Sequence, residues 1–318
     1  WSGGVPNSGC DARIPGSLTN YPLLDATGAA TRDLTIASGG SVSVSTFTLT
    51  VSGTLDNNGT TTIGTGAIDV SGTFDATGGS VTFTGAGRLQ LAGAVTSLGT
   101  LTESTGTIEY DRTAANQTVL TETYYNLEID NSTRVALSGG NLRVLNNLTV
   151  TSGELEIDDG DELRVDGDVS VTGVLDIEPA SLLQLSASST LTVNSGGIFE
   201  AIGTWDDLTL VTSSDESTPG RYTFTVSAGG LIDVDWGYFR FMDSNGIQIT
   251  DNGAVTALRT LDNTIFDNGA SGGRLLRVTN NDNAVTLSNL QFFDTNSNLT
   301  YNVETVSATA TLTIDPYD

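Results

Sequence analysis

An apolar-x-apolar triplet returns in this chain every 19 to 22 residues. Leu49-Thr50-Val51, Ile68-Asp69-Val70, Leu89-Gln90-Leu91, Ile108-Glu109-Tyr110, Leu127-Glu128-Ile129, Leu148-Thr149-Val150, Val169-Ser170-Val171 and Leu191-Thr192-Val193 step by 19, 21, 19, 19, 21, 21 and 22. A unit of that length cannot bury an apolar face alone, so a sustained period of this kind means that successive units stack around one shared core. Two further ladders run between the rungs of the first. Triplets opening at Val135, Leu155 and Leu175 step by 20, and triplets opening at Leu142, Leu163 and Leu183 step by 21 and 20. Each coil therefore holds three short strands. Side chains alternate across a strand, so the flanks of each triplet face inward and the polar or small middle residue faces out.

The strands are separated by Ser52-Gly53, Asn57-Asn58-Gly59, Ser71-Gly72, Asp159-Gly160 and Asp166-Gly167. Gly and Asn accept positive φ, and short Asx and Ser side chains bond their own backbone, so these are corners. No stretch keeps apolar residues at helical spacing beyond about one turn. Antiparallel hairpins have no reason to hold three ladders at one coil length, whereas parallel coils in register require it. The spacing predicts an all-β, right-handed parallel β-helix with three-strand coils of 19 to 22 residues, lengthening to about 25 toward the C-terminus. It further predicts an N-terminal entry or capping segment over 1–33, regular coils over 34–212, and a longer-coil continuation with a terminal strand over 213–318. A loop at 213–220 marks the change of coil length.

Charge narrows the partners. The 318 residues include 12 Arg but no Lys and no His, against 27 Asp and 11 Glu, for a net charge of -26. Such a field repels nucleic acid and anionic membranes and collects cations, so no nucleic-acid partner is expected. Nothing approaches the roughly 20-residue apolar run of a membrane-spanning helix, and no membrane insertion is expected. Lysine-free, Asp-rich chemistry suits a saline environment, although Asp also serves the many turns. The single cysteine, Cys10, excludes an internal disulfide and reads as a buried or unused thiol. The chain opens at Trp1 with neither Met nor signal segment, as expected of a processed or excised piece.

The opening Trp1-Ser2-Gly3-Gly4-Val5-Pro6, followed by Ala12-Arg13-Ile14-Pro15 and Asn20-Tyr21-Pro22, resembles the start of β-helical modules of large bacterial cell-surface and secreted proteins. Such modules run on as Leu34-Thr35-Ile36-Ala37-Ser38-Gly39 and Val51-Ser52-Gly53-Thr54-Leu55, and carry a stretch like Tyr124-Tyr125-Asn126-Leu127. The resemblance covers most of the chain. It implies a β-helix at a bacterial cell surface or beyond it, in an adhesin, a stalk or an exported surface layer, and it implies no particular activity.

Outward residues of successive coils lie about 4.8 Å apart, so like charges in register are informative. The ladders place Glu109 over Glu128 and Glu156 over Asp176. The densest acidic run, Asp158, Asp159, Asp161 and Glu162, is the candidate calcium site, since hard cations take several oxygen ligands from closely spaced carboxylates. Arg143 and Arg164 form a basic ladder expected to pair with acidic corners such as Asp161 and Asp166. Toward the C-terminus, Phe241, Phe266 and Phe293 each precede Asp and Asn, a pattern that predicts aromatics stacked inside and a turn after them. Trp205 with Asp206 and Asp207, and Trp236 after Asp233 and Asp235, are the places where paired acids meet a large aromatic, and are the candidate glycan contact.

Enzymes on this fold include pectinolytic hydrolases, with Asp pairs and a His, and lyases that use a Lys or Arg base beside calcium. Without His or Lys, proton transfer is left to carboxylates, Tyr and Arg, so catalysis is not expected. Thr48-Leu49-Thr50 and Thr60-Thr61-Thr62 suggest an ice-matching face, but Ala67 and Asp69 interrupt the first. The expected function is a non-enzymatic extracellular structural segment or subunit of a surface stalk or fibre, self-associating end to end. A carbohydrate-binding adhesin that takes a cell-surface polysaccharide is the first alternative, and a polysaccharide-degrading enzyme the second.

Overall fold

Strand pairing among the described residues is parallel throughout. The computed structural model describes residues 6–113, 115–137, 140–214, 220–250, 258–279, 285–293, 299–307 and 311–316. It divides into two compact units, Trp1–Ser138 and Gly139–Asp318. Each is a parallel β-helix with its own three ladders, and the right-handed sense follows the rule for parallel crossover connections.

In the N-terminal unit, the first ladder stacks Ala12–Ile14, Leu34–Ile36, Leu55–Asn57, Phe74–Asp75 and Val95–Ser97. The second stacks Leu23–Leu24, Ser41–Val44, Thr60–Ile63, Ser80–Phe83 and Thr100–Thr102. The third runs from Ala29–Thr31 through Thr48–Val51, Ala67–Val70, Arg88–Leu91 and Thr107–Tyr110 to the start of Asn126–Leu137. The triplets pair as their spacing requires: Leu49 on Ile68, Ile68 on Leu89, Leu89 on Ile108 and Ile108 on Leu127. Their flanks are buried and their middle residues mostly point outward, because a slip of one residue would turn the whole apolar set to water.

Two details depart from the expected pattern. The Val135 triplet stacks on Gln117–Val119, a strand that the periodicity leaves out. Thr60 and Thr62 stand on a different ladder from Thr48 and Thr50, and there hydroxyl residues recur over four coils, from Ser41 and Ser43 to Thr100 and Thr102. Coils approach so closely at one corner that only glycine fits. A methyl at Gly93 would run into the Gly72 carbonyl, and one at Gly72 into Gly53. Inside, the hydroxyls of Tyr110 and Tyr124 lie 3.1 Å apart, and Tyr124 donates to the Leu120 carbonyl at 2.7 Å. The Tyr124-Tyr125-Asn126-Leu127 stretch thus places a buried tyrosine whose polar end is satisfied by the chain turning above it.

In the C-terminal unit, one ladder stacks Leu142–Val144, Glu162–Val165, Leu182–Leu185, Thr209–Ser213, Gly237–Arg240, Ile265–Asp267, Val285–Phe293 and Leu312–Pro316. A second starts in Leu148–Ile157 and continues through Val169–Val171, Thr190–Val193, Tyr222–Val226, Met242–Thr250, Arg274–Thr279 and Tyr301–Val306. The third starts in the later half of Leu148–Ile157 and continues through Val174–Ile177, Ile198–Ile202, Leu231–Asp235 and Leu258–Asp262. The coil that closes Leu191 on Phe224 and Phe199 on Ile232 is much longer than its predecessors, because it carries an extra turn at 203–208 and the segment 215–219.

Aromatics fill the wider interior. Phe239, Phe266 and Phe292 stack with ring centroids 5.8 and 5.3 Å apart, and Phe199 and Phe224 pack edge-on at 4.9 Å. The column uses Phe239 and Phe292 where the Phe-Asp-Asn pattern points to Phe241 and Phe293. Phe241 is buried as expected but sits at a corner with φ of 60°, outside the column, and Phe293 is exposed. Trp1–Val5 of the opening motif, 215–219 of the expected loop, Asp294, Asn296, and residues 308–310 of the expected terminal strand lie outside the described residues. Among the described residues, no helix is long and apolar enough to cross a membrane.

Candidate functional site

The outward faces carry the chemistry, and in the N-terminal unit it is concentrated around Arg88. Glu109 and Glu128 stack in register as expected. Their repulsion is relieved from the neighbouring coil, where Arg88 Nη1 lies 2.6 Å from Glu109 Oε2 and 2.7 Å from Glu128 Oε2. Two residues after Glu109 stands Asp111. Burial, then the charges of Glu109, Asp69 and Asp130, push its carboxyl from the ordinary 3.8 up to about 6.

That shift has a sign. The native chain holds a proton on Asp111 through a pH range where the unfolded chain has lost it. The stability this confers is complete below about 3.8 and is lost as pH rises through about 6. Asp111→Asn is therefore expected to leave stability unchanged below about pH 4 and to raise it by about 1 kcal/mol above about pH 7, the figure being reduced for solvent screening. Urea titrations of both proteins across that range read it out, and an Asn variant less stable at neutral pH would refute the assignment.

In the C-terminal unit the acidic stack is longer than the sequence period revealed. Glu156, Asp176, Glu200 and Asp233 follow one another over four coils. Glu154, Glu156 and Asp176 bring one carboxylate oxygen each within 4.8 Å of one another, a donor set of the kind that hard cations take. The residues expected to bind calcium lie beside this trio and outside it. Asp158 and Asp161 close a tight turn over Gly160, whose φ is 78°, with Asp161 N donating to Asp158 O at 2.9 Å. Asp161 Oδ1 accepts from Gly140 N at 2.6 Å. Asp159 is exposed, and Glu162 points outward from its strand. Arg143 and Arg164 stack in register and both bond Asp166, at 2.9 Å through Nε in each case. Burial pushes the Asp166 carboxyl up, but hydrogen bonds from Arg143, Arg164 and Ser186 outweigh it and hold the group below its ordinary value.

The tryptophans come together. Thr204 and Asp207 close a turn through Thr204 N to Asp207 O at 2.8 Å and Asp207 N to Thr204 Oγ1 at 3.1 Å, and this turn presents Trp205 with 69% of its surface open. Trp236 meets it edge to face with ring centroids 6.1 Å apart. Trp236 has φ of 57°, and the residues at the same corner of the following coils, Asn263 and Asn289, have φ of 47° and 57°. Asn tolerates this region, whereas a bulky residue there is strained by about 1–2 kcal/mol. Asn263 Nδ2 donates to Asp235 Oδ1 at 2.7 Å, and Asn289 Nδ2 donates to Asn263 Oδ1 at 2.8 Å. The two indoles, these two amides and Gln291 line a cavity of about 130 Å³. Asp206 and Asp207 are exposed between Trp205 and Leu208, two of the lining residues, and take no part in the lining themselves.

Asn263, Asn289 and Gln291 were missed by sequence reasoning. Their alignment with Trp236 depends on long coils of unequal length, and the usable signal was the repeated Asn at a left-handed corner. Comparison of this chain with protein-family models, with curated proteins and with solved structures gave no match.

Proposed function

We propose that this chain is a non-enzymatic structural segment of an extracellular surface stalk or fibre, in which β-helical coils are joined end to end. The observation that carries this reading is the state of the outermost coils. At the first coils of the N-terminal unit, Ala12, Ile14, Pro22, Leu24 and Leu34 line an apolar cavity of about 90 Å³, and Leu23 is 60% exposed beside it. In the C-terminal unit, the outermost strands Tyr301–Val306 and Leu312–Pro316 carry the exposed Tyr301 and Ile314.

A parallel edge of this kind is a template for one more coil, supplied by a longer chain or by a second copy. Contact between unlike ends does not close on itself and so builds filaments. The resemblance of the sequence to bacterial surface modules favours an extracellular setting. The net charge of -26 makes such a junction dependent on salt or divalent cations. Absence of His and Lys removes the usual proton-transfer groups and favours a scaffold over an enzyme.

The purified chain is expected to form linear oligomers as its concentration rises in high salt with calcium, read by sedimentation velocity and electron microscopy. A chain that stays monomeric under those conditions rejects assembly and leaves the fold untouched.

A further inference from the structure

We propose that the corner formed by Trp205 and Trp236 is a binding site for a neutral glycan. The inference goes beyond the scaffold reading and does not rest on end-to-end assembly. Three observations converge on it. Trp205 is held out from the body of the coil by a hydrogen-bonded turn, which fixes the indole while leaving most of it in water. An edge-to-face contact with Trp236 uses the edge of one ring and one face of the other, so an aromatic face stays open for a ligand. Trp236 occupies a left-handed backbone position that the next two coils give to Asn, and strain of this sort persists where the surroundings impose it and collects at binding sites.

The lining sets the ligand class. Indole faces match the C–H face of a pyranose ring, and each amide of Asn289 and Gln291 offers a donor and an acceptor in one plane for neighbouring hydroxyls. The Asp235–Asn263–Asn289 chain of hydrogen bonds fixes the Asn289 amide before any ligand arrives. Among the described residues no arginine lines the cavity, while Asp206 and Asp207 are exposed between Trp205 and Leu208, which do line it, in a chain of net charge -26. Uronate or sulfated sugars are therefore repelled and uncharged ones are not.

Maltohexaose, cellohexaose and mannohexaose serve as neutral probes and a galacturonate oligomer as the acidic one, with binding followed by tryptophan fluorescence and calorimetry. At least one neutral probe is expected to bind, and the galacturonate is not. Trp205→Ala is expected to weaken binding about tenfold or more, the loss of one aromatic contact. Trp236→Asn places at this corner the residue found in the following coils, so it is expected to abolish binding with no fall in the thermal midpoint. The proposal is overturned if no neutral probe binds at millimolar concentration, if galacturonate binds as well as the neutral sugars, or if both variants bind like the parent. A steep fall in thermal midpoint for Trp236→Asn, with binding unchanged in Trp205→Ala, would make the pair a packing feature and also overturn it.

Discussion

Phe239→Ala is expected to destabilise the C-terminal unit by about 3–5 kcal/mol, the usual cost of removing a buried aromatic ring and leaving its cavity. Phe239 is fully buried and touches aromatic neighbours from three other coils. Its ring centroid lies 5.8 Å from that of Phe266, 6.1 Å from Phe224 and 6.4 Å from Phe199. In a stacked array each coil is stabilised mainly by its immediate neighbours, so the loss should be felt first where the ring was. Amide hydrogen exchange is expected to quicken in Ile198–Ile202, Gly237–Arg240 and Ile265–Asp267 before it does so in Leu142–Val144. Thr192→Ala, an outward position between Ser170 and Thr225, is the control and should cost no more than about 0.5 kcal/mol. Equal, small effects at the two positions would mean that the inside and outside of these strands have been exchanged.

Arg88→Gln is expected to cost about 3 kcal/mol in the N-terminal unit. The Glu109 side chain is only 6% exposed and lies against Glu128 in register, so removing the guanidinium leaves a desolvated carboxylate beside a like charge. Arg88 itself is 39% exposed, which sets the expectation at the lower end of the range for broken buried pairs. The double variant Arg88→Gln, Glu109→Gln should recover most of the loss, because the uncompensated charge is then gone as well. A double variant as unstable as Arg88→Gln alone would show that Arg88 matters for the packing of its stem instead of its charge.

How much of this could be read from residues alone varied along the chain. Where coils keep a length of 19 to 22 residues, the triplets named their own partners, and Leu49, Ile68, Leu89, Ile108 and Leu127 pair as the spacing demands. So did Leu142, Leu163 and Leu183. The Arg143 and Arg164 pairing with Asp166 was legible for the same reason, since one coil fixes which charges are neighbours. Beyond Leu191 the period fails, because insertions at corners change the coil length without disturbing the strands. Phe199 stacks on Ile232, and Glu200 on Asp233, at a distance along the chain that no fixed step supplies. For that reason the fixed step shows the acidic column only at Glu156 and Asp176, and the densest local run of acids, at 158–162, is not the trio that Glu154 forms with them.

The order of residues is enough to set the class of fold and the inward face of each regular strand. Alternation within a triplet and recurrence between triplets are both set by local chain geometry and by the removal of apolar surface from water. Which outward residues become neighbours once the coils are unequal is set by the folded chain alone. It brought Trp205 from a turn and Trp236 from a left-handed corner to the same cavity as Asn263, Asn289 and Gln291. Those contacts depend on how each long coil closes, and closure is settled by packing across coils that no single segment contains.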